Sequence, residues 1–237
     1  MSRAAQSTAV TGPIPIGCDP IDDLLGGGLP RGAATQIYGQ PAAGKTNVAL
    51  SAAVGVAAEG NTALVVDTEG LSPDRMEQLA AARGDAEDIA SRIVVSAAHT
   101  FEEQETAVKD AADLASQVDL IVLDSATGFY RLERHDDDGG EALRDVARQI
   151  THLLGLARRH DLAVAFTNQV YTDPDSDSTN ALGGHTLNHW SALILRLDRF
   201  RGGNRRATLE KHHSRPAGDT ATFRITGDGL AGTEDGV

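Results

Sequence analysis

The sequence predicts an α/β fold, in which a mostly parallel, twisted sheet is flanked by helices and carries antiparallel hairpin strands at its C-terminal edge. Short apolar runs alternate with helix-like segments, which is the order of elements in a parallel sheet with crossover helices. The runs are apolar throughout, as expected of strands that are buried on both faces. After residue 189 the helical patterns give way to a hairpin pattern. The chain has 237 residues, which is enough for one such core.

The predicted elements follow one another without a repeat or a long linker. Buried parallel strands are predicted from the apolar runs at 34–38, 63–67, 92–95, 119–124 and 162–167. Ser72 is an N-cap residue with Pro73 at the first helical position, so a helix is predicted to begin there. Longer helices are predicted at about 101–117 and 140–160. The runs 192–197 and 207–210 flank a Gly-Gly-Asn sequence, which predicts a hairpin.

The chain is predicted to form one domain with short additions. We expect a short N-terminal extension at 1–13, a single core at 14–230 and a C-terminal tail at 231–237. Cys18 is the single cysteine, so an intramolecular disulfide is excluded. The N-terminus lacks a charged-plus-apolar signal pattern, and no apolar run reaches membrane-spanning length. A cytoplasmic protein without a membrane partner is therefore expected.

The charge balance is strongly acidic. The chain has 34 acidic against 21 basic residues, a net charge of −13, and its only lysines are Lys45, Lys109 and Lys211. An acidic surface that is poor in lysine is typical of proteins from very high salt, where screening removes the self-repulsion. We expect a halophilic source, and an acidic protein from a low-salt organism is the alternative. Net charge is then a poor guide to partners, so the remaining basic clusters carry more information.

The most specific motif is a complete G-x-x-x-x-G-K-S/T phosphate loop between a predicted strand and a predicted helix. Glycines at its first and sixth positions let backbone N–H groups close around an anion. Lys45 supplies a charge for the β- and γ-phosphates, and Thr46 is placed to hold Mg²⁺. The motif predicts ATP and Mg²⁺ as ligands. The predicted ATP-binding residues here are Gly39, Gln40, Pro41, Ala42, Ala43, Gly44, Lys45, Thr46 and Asn47.

Polar residues that follow later strands predict the metal site and the hydrolytic groups. Asp124 ends an apolar strand about eighty residues after the loop, where it can hold Mg²⁺ through the metal's water shell together with Thr46. Glu69 follows the next strand and is placed to orient and deprotonate a water, and a solvated loop carboxylate is the alternative. Gln169 emerges at the same edge and can sense the γ-phosphate. Glu69, Lys45 and Gln169 are the predicted catalytic residues.

Together, these motifs resemble those of the RecA-superfamily recombinases over about residues 14–230. The resemblance is to the archaeal RadA/RadB branch, and most of all to its short RadB paralogues. It rests on the phosphate loop and on the segments Ile16-Gly17 to Gly28, Asp67-Thr-Glu69-Gly70, Asp74-Arg75, Leu123-Asp124-Ser125, Thr167-Asn-Gln169-Val170 and Gly183-Gly184-His185. It implies a RecA-like core, Glu69 as the water-activating carboxylate, Arg75 stacked on adenine, and loops after Asp124 and Gln169 that face DNA. It also implies that His189 senses nucleotide across a subunit boundary.

Departures from the RadA pattern indicate the subtype. RadA proteins have a helical N-terminal DNA-binding domain and a Phe-x-x-Ala segment that docks on the next subunit. Here about 13 residues precede the core and the first phenylalanine is Phe101. A homo-oligomer is possible on this basis, but long filaments and strand exchange by this protein alone are not expected. The predicted DNA-facing loops at 131–140 and 171–177 are also acidic at their tips, unlike a groove that tracks phosphates.

Basic residues in the C-terminal third provide two further hypotheses. Lys211 stands where RadA-type proteins carry an Asp that closes the neighbouring site, so it is a candidate cationic finger acting in trans, with an exposed surface lysine as the alternative. A cluster of arginines across the hairpin is predicted to bind single-stranded DNA, with surface pairing to nearby acids as the alternative. The cluster comprises Arg196, Arg199, Arg201, Arg205 and Arg206. Trp190 and Tyr171 can each stack on a base, but Trp190 is expected in the core of an apolar strand.

Three functions remain open at this point. The favoured one is an accessory protein of DNA recombination and repair, a weak DNA-dependent ATPase that binds single-stranded or recombination-intermediate DNA and assists the RadA recombinase. The second is a strand-exchange recombinase in its own right. The third is a KaiC-like regulatory ATPase that does not bind DNA. All three share the ATPase core, so DNA and partner binding distinguish them.

Overall fold

The computed structural model describes residues 12–129, 139–172 and 179–233, apart from the side chains of residues 139, 172, 179 and 201. The predicted N-terminal extension, except residues 12 and 13, lies outside this part of the chain, as do the last four residues of the predicted tail. The same holds for most of the two acidic loops. The final strand of the structure runs from Gly229 to Gly232, across the predicted boundary at residue 230.

The described residues form helices on both sides of one large sheet. The helices are α1 (Asp19–Leu25), α2 (Lys45–Ala58), α3 (Pro73–Ala81), α4 (Ala86–Ala90), α5 (Phe101–Leu114), α6 (Gly139–His160) and α7 (Gly184–Trp190). The strands are β1 (Ala34–Gly39), β2 (Ala63–Asp67), β3 (Ile93–Ala97), β4 (Leu120–Asp124), β5 (Ala163–Asn168), β6 (Val170–Thr172), β7 (Thr179–Ala181), β8 (Leu193–Arg199), β9 (Asn204–Lys211), β10 (Thr220–Thr226) and β11 (Gly229–Gly232).

The large sheet has nine strands in the order β11-β10-β9-β8-β1-β5-β4-β2-β3. From β3 to β8 all neighbours are parallel, and from β8 to β11 all are antiparallel. This arrangement confirms the predicted mostly parallel sheet with hairpin strands at one edge. The hairpin of β8 and β9 turns at Arg201–Gly203, where Gly202 and Gly203 have positive φ angles of 76° and 81°. Strands β10 and β11, and the separate β6–β7 pair, were not among the predicted elements.

Two apolar layers cover the faces of the sheet. Helix α2 packs in the first layer with α1 and the hairpin strands, and small side chains such as Ala52 and Ala53 let it lie close to the sheet. Helices α5 and α6 form the second layer, in which Ile150 and Leu153 meet Phe166 of β5. Helix α2 is buried almost all round because neighbouring elements contact it on several sides. Both faces of the sheet are therefore covered by apolar side chains.

The prediction for Trp190 is wrong. Trp190 is the last residue of helix α7 and is 38% exposed, whereas the apolar strand begins three residues later at Leu193. The run from Trp190 to Leu197 looks continuous in sequence, but Ser191 ends the helix in an extended conformation. Tyr171 lies in β6 and is 41% exposed. Both aromatic rings are therefore accessible.

Within the described residues, no helix combines the length and the apolar character that crossing a bilayer requires.

Candidate nucleotide site

Four parallel strands end at the same edge of the sheet and bring the predicted site together. The phosphate loop follows β1, Glu69 follows β2, Asp124 ends β4 and Gln169 follows β5. Asp67 and Asp124 are direct partners across β2 and β4. Strand β1 lies between β5 and β8, so the strand order reverses beside the phosphate loop. Such an edge is where ligands bind in open α/β sheets.

The phosphate loop closes tightly around the first turn of α2. Gly44 is the N-cap of this helix with a φ angle of 104°, and Ala42 has a φ angle of 61°. A Cβ atom on Gly39 would lie 2.3 Å from the carbonyl oxygen of Leu197, so only glycine fits there. Lys45 Nζ donates to the carbonyl oxygens of Gly39 and Gln40 at 3.0 and 3.2 Å. The amine is therefore held over the loop.

The pKa of Lys45 is lowered by burial, and the nearby Glu69 and Asp124 carboxylates oppose this shift. Among the described residues no carboxylate pairs directly with this half-buried ammonium, so it is well suited to attract an anion. The N-terminus of α2 adds N–H groups that point into the same space. The loop therefore combines a cation and backbone donors, as the motif predicts.

Asp124 is the buried acid of the site. It is 4% exposed, accepts a hydrogen bond from the Thr167 hydroxyl, and is also hydrogen-bonded to the Thr46 side chain. Burial raises the pKa of Asp124, and the hydrogen bonds from Thr167 and Thr46 oppose this rise. A carboxylate beside a threonine hydroxyl is a donor set that suits a hard cation such as Mg²⁺. Thr46 and Asp124 are the residues that would hold it.

Replacing Asp124 with asparagine is expected to stabilise the ligand-free protein at neutral pH. The reason is that the amide keeps an acceptor for Thr167 but removes a charge whose burial raises its pKa. The pKa of Asp124 is higher in the folded than in the unfolded protein. The contribution of Asp124 to the free energy of unfolding of the wild type therefore declines as the pH rises from the unfolded-state pKa through the folded-state pKa. The gain should therefore fade in acid, where Asp124 is protonated. Thermal unfolding across pH measures it, and a less stable variant at neutral pH would contradict the argument.

Glu69 is held by residues from two other loops. Its Oε1 accepts hydrogen bonds from Ser125 Oγ at 2.7 Å and from Gln169 Nε2 at 3.1 Å. Ser125 follows Asp124, and Gln169 follows β5, so the three loops meet at this carboxylate. The structure brings the predicted water-activating residue and the predicted phosphate sensor into direct contact. Glu69 itself is exposed, as a group that must reach a water has to be.

Asp67 organises the loop that carries Glu69, a role that the sequence did not reveal. Its carboxylate accepts from the backbone N–H groups of Glu69, Gly70 and Leu71 at 3.1, 3.0 and 2.6 Å. Thr68 joins the same loop to Ser125, because its hydroxyl donates to the Ser125 carbonyl oxygen and accepts from the Ser125 N–H. The sequence feature that could have indicated this role is the acid directly before the Thr-Glu-Gly sequence. The loop is thus fixed at both sides of Glu69.

Arg75, the predicted adenine-stacking residue, forms one wall of the site. Its Nε donates to Asn47 Oδ1 at 2.8 Å, and its Nη1 donates to the carbonyl oxygens of Thr226 and Gly227 at 2.9 Å each. Helix α3, which carries Arg75, begins with the predicted Ser72 cap, whose hydroxyl accepts from the Arg75 N–H at 3.3 Å. The guanidinium plane is therefore fixed against the β10–β11 turn, as a flat stacking surface requires.

Lys45, Thr46, Glu69, Arg75 and Gln169 line one cleft of about 590 Å³. Two of its lining residues, Arg205 and Ile225, come from the hairpin strands β9 and β10 and were not predicted to belong to it. The cleft fits a nucleotide phosphate in three respects: no side chain fits at Gly39, a Cβ on Gly44 would crowd Ile225 and Arg205, and the buried Arg205 Nε has no hydrogen-bond partner within the described residues. Strand alternation alone does not show which neighbouring loop a side chain will cover, so Arg205 could not be found from sequence.

The two residues predicted to act on a neighbouring subunit, Lys211 and His189, lie close together but away from the nucleotide cleft. Lys211 Nζ donates to the Asn188 carbonyl oxygen at 2.8 Å, and the ring of the adjacent His189 packs edge-on against Trp190 with centroids 5.0 Å apart. Both line a separate cavity of about 330 Å³ with Arg158, and neither is among the described residues that line the nucleotide cleft. Lys211 and His189 therefore share one surface. Their action on a neighbouring subunit stays a prediction.

The arginines predicted to bind DNA have different environments. Arg196 pairs with Asp198 at 3.0 Å and with Glu210 at 3.3 Å, which is the surface pairing considered as the alternative. Arg206 lies over the Phe200 ring, 4.6 Å from its centroid, and Arg205 lies in the nucleotide cleft. Arg199 is exposed, and the side chain of residue 201 is outside the described part. DNA binding by this cluster stays a prediction.

Comparison with known proteins gives consistent matches. The Rad51 family model matches residues 9–233. The DNA repair and recombination protein RadB of Halobacterium salinarum is 61% identical over 221 residues, which are 92% of this chain and 94% of that protein. The RadB protein of Methanococcoides burtonii is 43% identical over 215 residues, covering 90% of this chain and 95% of its own.

A solved structure also matches a RadB protein. The crystal structure of the RadB recombinase superimposes with a TM-score of 0.80 at 36% identity, covering 93% of this chain and 100% of that chain. The RecA-like core is confirmed by this match, and the halophilic source that was predicted from charge agrees with the Halobacterium relative. The chain belongs to the Rad51 family and, within it, to the RadB proteins.

Proposed function

We propose that this protein is an ATP-binding protein of DNA repair and recombination that binds Mg·ATP in the cleft, hydrolyses it slowly, contacts DNA and assists a RadA recombinase. One observation carries the proposal: Lys45, Thr46, Glu69 and Gln169 line a single cleft, and Asp124 is hydrogen-bonded to the Thr46 side chain. The relatives named as DNA repair and recombination proteins support the biological setting. The RadA partnership rests on the family resemblance, and co-migration of the two purified proteins in gel filtration tests it.

The chain's own residues divide the work in the cleft. Lys45 and the N–H groups at the start of α2 bind the phosphate chain, and Arg75 supports the base. Thr46 and Asp124 would hold Mg²⁺, which would neutralise charge that develops on the phosphate oxygens. Glu69 orients a water and accepts its proton on the carboxylate, which Ser125 and Gln169 hold in place.

Gln169 supports a link from nucleotide to the DNA-facing side. Its side-chain Nε2 donates to Glu69 Oε1, and its backbone carbonyl oxygen accepts from the Leu182 N–H at 2.8 Å. Leu182 directly follows β7, which pairs with β6 in a small hairpin. A phosphate oxygen that accepts a hydrogen bond from Gln169 Nε2 would therefore pull on both ends of this hairpin. Such a connection is the kind by which bound nucleotide biases a loop.

The hairpin of β8 and β9 supports DNA contact. Phe200 is 42% exposed, and the Arg206 guanidinium lies over its ring. An accessible aromatic ring beside cations suits single-stranded DNA, whose bases stack and whose phosphates pair with arginine. We expect the Arg199→Gln, Arg206→Gln double variant to lose most affinity for single-stranded DNA. Arg92→Gln is the matched control, because Arg92 pairs with Asp88 away from this hairpin.

The experiment is fluorescence anisotropy of labelled single-stranded DNA in high KCl, with and without Mg·ATP. DNA binding that requires Mg·ATP and is lost in Lys45→Ala is the expected result. Equal loss of DNA affinity in the double variant and in Arg92→Gln would oppose the hairpin as the contact surface. No DNA binding by the wild-type protein under any condition would oppose the proposal and favour a regulatory ATPase that does not touch DNA.

A further inference from the structure

Arg205 differs from the other arginines of its hairpin because it points into the nucleotide cleft. It lines the cleft beside Gly44, Lys45 and Ile225. Its Cδ and Nε each lie 3.3 Å from the position that a Cβ atom on Gly44 would occupy. Gly44 directly precedes Lys45 and caps the N-terminus of α2. The Arg205 side chain therefore crosses the phosphate loop itself, within the same chain.

The hydrogen bonds of Arg205 leave most of its donors for a ligand. Its Nη1 donates to the Gly203 carbonyl oxygen at 2.7 Å. Its Nε is buried and has no hydrogen-bond partner among the described residues. A guanidinium has five N–H donors, and a buried donor without an acceptor is unfavourable. An acceptor that enters the cleft would remove this cost, and phosphate oxygens match the planar fork of an arginine.

The charge around Arg205 also favours an anion. Arg196, on the neighbouring strand, has two carboxylate partners. Arg205 has no carboxylate within ion-pair distance in the described part of the chain, although the protein has 34 acidic residues. The Arg199 guanidinium, its direct partner across β8 and β9, adds a second positive charge that acts on it. Burial and this second cation both lower the pKa of Arg205.

We infer that Arg205 binds the phosphate chain of the nucleotide from within the same subunit and thereby ties the nucleotide to the arginine hairpin. This inference rests on the proposed function, since it requires a nucleotide in the cleft. Bound phosphate satisfies the buried Nε and relieves the repulsion between Arg205 and Arg199. The end of the hairpin that carries Arg199 and Arg206 then becomes fixed when nucleotide binds. Arg205 is thus a nucleotide-binding residue and not a DNA-binding one.

The test measures nucleotide affinity by displacement of a fluorescent ATP analogue. Arg205→Gln should bind ATP and ADP on the order of 10- to 100-fold more weakly than the wild type, because a charge-assisted hydrogen bond to phosphate is lost. Arg205→Lys, which keeps the charge, should recover part of the loss. Arg224→Gln is the matched control, since Arg224 is an exposed arginine on the adjacent strand β10. It should bind within about twofold of the wild type.

Thermal unfolding separates a lost contact from a damaged fold. Without nucleotide, Arg205→Gln should unfold at the wild-type temperature or above, while the rise in unfolding temperature on adding ATP should shrink. Wild-type ATP affinity in Arg205→Gln, beside a Lys45→Ala variant that has lost it, would overturn this inference alone. A wild-type protein that binds no ATP would overturn the proposed function and this inference with it.

Discussion

Replacement of Lys45 by alanine is expected to weaken ATP binding at least about 100-fold, which corresponds to about 2.7 kcal/mol. The amine is half-buried above the phosphate loop, and its hydrogen bonds within the described part of the chain go to the carbonyl oxygens of Gly39 and Gln40, so it is available to the β- and γ-phosphates. Removing it eliminates a charge-assisted hydrogen bond in a site of low dielectric. Displacement of a fluorescent ATP analogue in high KCl measures the loss.

The fold should tolerate this change. Burial already lowers the pKa of Lys45, so the ligand-free protein loses an unfavourably buried charge, and its stability should change by no more than about 1 kcal/mol. Lys109→Ala is the matched control, because Lys109 is exposed on α5 and pairs with Glu105. It should bind ATP like the wild type. Equal ATP affinity in the Lys45 and Lys109 variants would show that the loop is not the phosphate site.

Replacement of Glu69 by glutamine should reduce ATP hydrolysis by a factor on the order of 10² to 10⁴. Glutamine has nearly the same shape and can still accept from Ser125 and Gln169 through its amide oxygen, but it cannot accept a proton from water. ATP binding should therefore remain within a few-fold of the wild type. Release of inorganic phosphate under single-turnover conditions measures the chemical step directly.

A second glutamate variant, Glu77→Gln, serves as the control for this measurement. Glu77→Gln removes an exposed carboxylate of α3, the helix that carries Arg75, without touching the described lining of the cleft. Hydrolysis by Glu77→Gln should match the wild type. Phosphate release by Glu69→Gln at the wild-type rate would assign the proton transfer to another group, and Glu69 would then be a solvated loop acid that only holds Gln169.

The parts of the fold and site that the sequence predicted depend on local signals. The phosphate loop is contiguous, and the buried parallel strands are short apolar runs whose ends differ from the predictions by only one or two residues. Asp124 and Glu69 follow such strands, and parallel strands bring their carboxyl ends to one edge. Local sequence and one general rule of sheet geometry were therefore sufficient for these residues.

The remaining features depend on contacts between distant segments. Arg205 reaches the phosphate loop only because β9 and β10 fold back beside β8, and nothing in the hairpin sequence states where that edge lies. Asp67 looked like one motif residue among several, yet it accepts three backbone N–H groups in the Glu69 loop. Trp190 was misplaced because the end of α7 and the start of β8 form one apolar run.

The most direct test is a crystal structure of the full chain with Mg²⁺ and a non-hydrolysable ATP analogue. We expect triphosphate along residues 39–46, adenine against Arg75, a metal held by Thr46 and Asp124, and a phosphate oxygen on Arg205 Nε. Nucleotide bound elsewhere, or an empty loop at a concentration that saturates binding in solution, would contradict nucleotide binding in this cleft.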